Sequence, residues 1–179
     1  VTLVAGPVEL PEPSGVRTVR FATADDLHAA LVAEFPECDV LIMAAAVADL
    51  IPEESARRLH RSEGERRLEL RPGRDVLASL RPLKRAQTVV AFAAETEDLE
   101  SRGRAKMEAK GADLIVVNDV GRADIGFDSD HNAVSILRRD GGREDVSRRS
   151  KREVAERILD AVRSLRASAL ALPPATPGE

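Results

Sequence analysis

The sequence predicts an α/β protein: an open, mostly parallel sheet with helices on both faces. Three short runs, DVLIMAAA (39–46), TVVAFAA (88–94) and DLIVVN (113–118), are apolar throughout rather than alternating. That is the pattern of strands covered on both sides. Helix-like segments separate these runs, and such an order argues for parallel pairing through right-handed crossovers. With 179 residues, 43% of them hydrophobic and 32% charged, the chain can close a real core.

The elements follow in order. Residues 1–4 read as a strand and GPVELPEPSG as a long loop. Thr23 caps a helix from Ala24 to Phe35, with Asp25 and Asp26 in its first turn. After the strand at 39–46, residues 51–64 are polar and basic, and RRLELR (66–71) alternates like an exposed strand. Asp75 opens a short helix ending near Leu80, and the strand at 88–94 comes next. Residues 95–110 form a charged helix stopped by Gly111. The strand at 113–118 leads through a loop to a hairpin over 133–146, turning at Asp140-Gly141-Gly142. An amphipathic helix spans 150–167. One domain over 1–167 and a disordered tail over 168–179 are therefore expected.

Net charge is −4, so no basic field points to nucleic acid, and no apolar run approaches membrane-spanning length. Cys38 is the single cysteine, which excludes an intrachain disulfide and suits a cytoplasmic setting. Cys38, His28, His60 and His131 show no metal-ligand spacing. No Walker A loop, GxGxxG or Ser-His-Asp arrangement is present, and the absence of tyrosine excludes a Tyr-x-x-x-Lys reductase. The chain begins at Val1 inside a strand-like run, as a fragment of a longer protein would.

In open α/β sheets ligands sit beyond the carboxyl ends of the strands, where Asp49, Glu95 and Asn118 fall. Behind the alanines of MAAAVADL, Asp49 could accept hydrogen bonds from the exocyclic amine of a flat base, or it could be a helix cap or solvent-facing acid. Lys106 and Lys110, four apart, share one helix face. Only four of the 27 basic residues are lysines. An anion such as a triphosphate would reverse the repulsion within this pair; a solvated face is the other reading. Phe92 suits either core packing or base stacking.

Taken in order, VTLVAGPVELP, AAAVADL, VAFAAETED, KMEAKGADLIVVNDV, GFDSDHNAV and SKREVAERILD resemble the phosphopantothenoylcysteine synthetase family. In bacteria that enzyme is usually the C-terminal half of a bifunctional coenzyme A biosynthesis flavoprotein. The resemblance covers residues 1 to about 165. It implies a Rossmann-like fold, a homodimer, CTP as co-substrate with Mg²⁺, and ligation of 4′-phosphopantothenate to L-cysteine through an acyl-cytidylate. The decarboxylase half, and FMN with it, belongs elsewhere in the full-length chain.

Mapped onto this sequence, the family's base-reading aspartate falls on Asp49 and its nucleotide-contacting strand end on Met43-Ala44-Ala45. Its Asn-Pro-Asp-Ile segment falls on Gly73-Arg74-Asp75-Val76, followed by Leu77, with the proline lost. Its aromatic falls on Phe92 and its helix lysines on Lys106 and Lys110. The flap segment Lys-Ile-Lys-Lys matches Arg58-Leu59-His60-Arg61, so the lysine tied to the chemistry becomes Arg58, with Arg57 the alternative across a gap. The family's first strand, glycine-rich turn and acyl-cytidylate asparagine lie ahead of Val1, so this fragment alone is not expected to complete catalysis. A non-catalytic nucleotide-binding or dimerisation module of the same fold is the competing expectation.

Overall fold

The structure, a computed structural model, describes residues 1–53, 68–121 and 130–171. The chain divides into two compact units, Val1–Pro36 with Ala45–Leu83, and Glu37–Ala44 with Lys84–Glu179.

In the first unit, strands β1 (Thr2–Ala5) and β2 (Arg17–Arg20) pair in parallel from Thr2↔Arg17 to Ala5↔Arg20. β2 was not expected. Two arginines among its four residues hide the strand signal of Thr18 and Val19. Helix α1 (Ala24–Glu34) opens as predicted, with the Asp26 N–H donating to Thr23 Oγ1 at 3.1 Å and the Thr23 N–H to the Asp26 carboxylate at 2.9 Å. This reciprocal capping box holds the Asp26 carboxyl below its ordinary range, the Thr23 bonds being the main cause. Leu27 and Leu31, one turn apart, are the buried side of α1. Strands β4 (Leu50–Pro52) and β5 (Leu70–Pro72) form a two-stranded antiparallel sheet. The short helix α2 (Val76–Ser79) starts at Asp75, whose Oδ1 accepts from the Ala78 N–H at 3.0 Å.

The second unit holds a five-stranded sheet: β3 (Val40–Met43), β6 (Thr88–Glu95), β7 (Leu114–Asp119), β8 (His131–Arg138) and β9 (Arg143–Ser150), adjacent in that order. β3, β6 and β7 run parallel, while β8 and β9 add the expected antiparallel hairpin, with Gly141 at φ 95°. β3 stops at Met43, opposite Ala91, instead of running through Ala46. The alanines that follow have weak strand preference and are exposed, not buried.

Helix α3 (Leu99–Lys110) ends at Gly111, which takes the left-handed conformation (φ 65°) while the Ala112 N–H reaches the Met107 carbonyl at 3.0 Å. It covers one sheet face with Gly103 seated over Ile115, Val117 and Leu137, and its Met107 is buried. Helix α4 (Lys151–Ala171) covers the other with Val154, Ile158, Ala161 and Val162, against Val90, Leu114, Val116, Val134, Ile136 and Val146. Each large side chain buried there contributes about 1.5–3 kcal/mol. α4 continues past residue 168, where the tail was expected, because Ala169, Leu170 and Ala171 favour helix.

Two polar staples hold the amino ends of the parallel strands. Lys84 Nζ lies 2.6 Å from both Asp113 carboxylate oxygens and 3.0 Å from the Gly111 carbonyl, and Asp113 also accepts the Val89 N–H at 2.8 Å. Arg166 of α4 donates to the backbone carbonyl and carboxylate of Asp39, at 2.9 and 3.0 Å.

Candidate functional site

The expected site residues divide between the two units. In the first, Asp49 stands directly before β4, exposed, and caps no helix among the described residues. It does not follow a strand, since β3 ends six positions earlier at Met43. Its backbone carbonyl accepts the Gly73 N–H at 2.8 Å, and a Cβ on Gly73 would sit 2.6 Å from the Ala48 carbonyl oxygen. Only glycine allows this approach, which ties Ala48-Asp49 to the segment opening α2. Arg74 there reaches Asp25 at 3.5 Å. Val76 and Leu77 bury their side chains in the core, so those two residues present backbone only. Ala45, Ala46 and Ala48 are exposed, a small-residue surface beside the acid.

In the second unit, Met43 closes β3 beside Ala91, and Phe92 comes one residue further along β6. Phe92 is half-buried and packs against the α4-side core, so its core reading has direct support. Glu95 ends β6 and pairs in register with Asp119, beside Asn118. Glu95 and Asn118 thus lie on neighbouring strand ends, and Asp49 belongs to the other unit. The Asn118 Oδ1 is buried with no hydrogen-bond partner among the described residues.

Glu95 is only 6% exposed, and Lys106 Nζ lies 2.5 Å from its Oε1, an ion pair rather than an aligned hydrogen bond. Arg102 follows at 3.7 Å from Oε2. Arg102, Lys106 and Lys110 recur every four residues of α3 and so share a face, with Lys110 one turn beyond Lys106. The Lys106 side chain remains 47% exposed, so the solvated-face reading is incomplete: one side of this ammonium meets a buried carboxylate. The sequence marked both Glu95 and Lys106 but carried no sign of their pairing. Arg58, Arg57 and His60 lie outside the described residues. Among the described residues no group of three or more His, Cys, Asp or Glu side chains could hold a metal ion.

Fold and strand-end groups together define an α/β domain with acid and cation side chains at the carboxyl ends of its parallel strands. Residues 1–165 match the DNA/pantothenate metabolism flavoprotein C-terminal domain, and the chain belongs to that family. It is 36% identical over 167 residues to the coenzyme A biosynthesis bifunctional protein CoaBC of Bacillus subtilis, covering 92% of this chain and 41% of the relative. Against the CoaBC of Mycobacterium tuberculosis it is 38% identical over 175 residues, 90% of this chain and 42% of the relative. The chain thus spans under half the length of these curated relatives. A crystal structure of the C-terminal domain of CoaBC superposes with a TM-score of 0.75 at 32% identity, over 93% of this chain and 74% of the other.

Proposed function

We propose that this chain forms part of a domain that joins 4′-phosphopantothenate to L-cysteine at the expense of CTP, a ligation in coenzyme A biosynthesis, in the cytoplasm. The observation that carries this reading is the family match along residues 1–165, joined to CoaBC relatives that align over some nine-tenths of the chain. A carboxylate is a poor acyl donor because its leaving group would be an oxide. Attack of the phosphopantothenate carboxylate on the α-phosphorus of CTP forms an acyl-cytidylate and releases pyrophosphate. The cysteine amine then attacks the acyl carbon, CMP departs with the acyl C–O bond electrons, and the amine loses a proton.

The chain's own residues suit parts of this scheme. Asp49 carries an acceptor-only carboxylate, and cytosine presents an exocyclic amine donor. The exposed alanines beside it leave room for a flat ring. Lys106 and Lys110 offer ammonium groups to phosphate oxygens. Met43-Ala44-Ala45, the segment Arg74-Asp75-Val76-Leu77 and Phe92 complete the proposed nucleotide contacts. Arg58 would stabilise phosphate charge in place of a lysine but cannot act as a base. The described side chains offer no dedicated Mg²⁺ cage; the ion would arrive on the triphosphate, neutralising its charge.

The first unit also supports a homodimer. On one face of the β4–β5 sheet, Leu50, Pro52, Leu70 and Pro72 are all exposed, and a two-stranded sheet with an uncovered apolar face is unstable alone in water. No helix among the described residues is long and apolar enough to cross a membrane.

The test is direct. With CTP, Mg²⁺, phosphopantothenate and cysteine, the intact protein should release pyrophosphate and form the amide. Pyrophosphate without amide would implicate the Arg58 segment; neither product would refute the ligase reading. Asp49→Asn should raise the CTP dissociation constant several-fold in calorimetric titration, and unchanged binding would remove Asp49 from the site.

A further inference from the structure

Glu95 is the least expected side chain of the second unit: a carboxylate 6% exposed at the last position of a buried strand. Removing such a group from water is costly unless a partner compensates it. Its partners come from one face of α3, Lys106 at 2.5 Å and Arg102 at 3.7 Å. The asymmetry of exposure is informative. The carboxylate is enclosed, whereas Lys106 is half in solvent and Arg102 more than half.

A carboxylate whose only task was neutrality would serve better as an apolar residue. Here it sits at the carboxyl end of β6, the end where open α/β sheets receive ligands, and takes hold of one of the two lysines assigned above to phosphate. A lysine ammonium carries three donors on a flexible stem. Anchoring one side of it to a fixed carboxylate removes rotamer freedom before a ligand arrives, and leaves donors facing outward. Gly103, one turn earlier, seats the helix close enough for the pair to form.

We propose that Glu95 is a positioning residue that holds the Lys106 ammonium in place for a nucleotide phosphate. This rests on the assignment of Lys106 to the phosphates. The opposing effect is that a carboxylate also repels phosphate, so the sign of the outcome decides.

The experiment is a double-mutant cycle in the intact protein with Glu95→Gln, Lys106→Met and the pair, reading KM for CTP and for cysteine in the ligation. Glu95→Gln should raise KM for CTP at least fivefold and move KM for cysteine less than twofold, a split that a general structural defect would not produce. In the Lys106→Met background the same change should alter KM for CTP less than twofold. Glu95→Asp, which keeps the charge, should fall between wild type and Glu95→Gln, and it stands in for Glu95→Gln if that variant does not fold. An unchanged or lowered KM for CTP in Glu95→Gln, with a raised one in Lys106→Met, would overturn the proposal and leave the phosphate role of Lys106 intact. An equal loss in both backgrounds would also overturn it. An unchanged KM in Lys106→Met would remove Lys106 from the nucleotide site, and the proposal with it.

Discussion

Replacing Gly103 by alanine tests how tightly α3 is seated. A Cβ there would lie 2.6 Å from Val117 Cγ2 and 2.8 Å from Leu137 Cδ1, against ordinary carbon contacts of about 3.5–4.0 Å. Both neighbours are fully buried, so neither can swing into solvent. Overpacking of this kind costs about 1–3 kcal/mol, while exchanging helical glycine for alanine gains about 1 kcal/mol. A net loss of about 1 kcal/mol is expected, or roughly 4–8 °C in melting temperature for a unit near 100 residues. Urea denaturation of Gly103→Ala, Val117→Ala and the double variant separates the terms. Val117→Ala removes the nearer clash and opens space beside Leu137, so Gly103→Ala should cost less in that background than in the wild type. A single Gly103→Ala variant as stable as wild type would refute the reasoning, because α3 would then have room to lift.

Three further outcomes are expected. Gly73→Ala places a Cβ against the Ala48 carbonyl, where backbone must move, so CTP affinity should fall several-fold by calorimetry together with a stability loss of about 1–3 kcal/mol. Asp145 accepts from Ser135 Oγ at 2.5 Å and from Arg143, which hold its carboxyl below the ordinary value of 3.8, Ser135 being the larger cause. The folded state therefore gains stability from this group above about pH 4 and loses it as pH falls through the lowered value. The stability gap between wild type and Asp145→Asn should accordingly narrow between pH 6 and pH 3 in urea titrations. Leu70→Glu puts a charge on the exposed face of β5 and should dissociate the proposed dimer to monomer in sedimentation; a dimer mass retained in the variant would move the interface elsewhere, and a monomeric wild type would refute the dimer.

What the sequence made legible was local. Thr23 with Asp26, Asp75, Gly111 and the Asp140–Gly142 turn each act within a few residues, and each appears where the spacing put it. The uniformly apolar TVVAFAA and LIVVN runs also announced themselves, since burial on both faces leaves no polar alternation. Features decided by a distant partner did not. The end of β3 depends on how far β6 offers pairing. The strand role of RTVR depends on β1 across an eleven-residue Pro/Gly-rich loop. The approach of Asp49 to Gly73 joins segments separated by more than a helix's length of chain.

The lysine signal shows where sequence inference needs the structure to complete it. The rarity of lysine singled out Lys106, and the structure gives a physical reason for lysine there: a compact ammonium against an enclosed carboxylate, where a planar guanidinium is larger and fixed in its donor geometry. The same reasoning applies to Lys84, which meets both oxygens of Asp113 and a backbone carbonyl at the opposite end of the sheet. At both positions a lysine meets a site that suits a compact cation, and exposure tells the two apart. Lys84 is mostly enclosed with its donors committed to protein, so it staples the strands. Lys106 is held on one side and open on the other, which suits the phosphate role proposed for it.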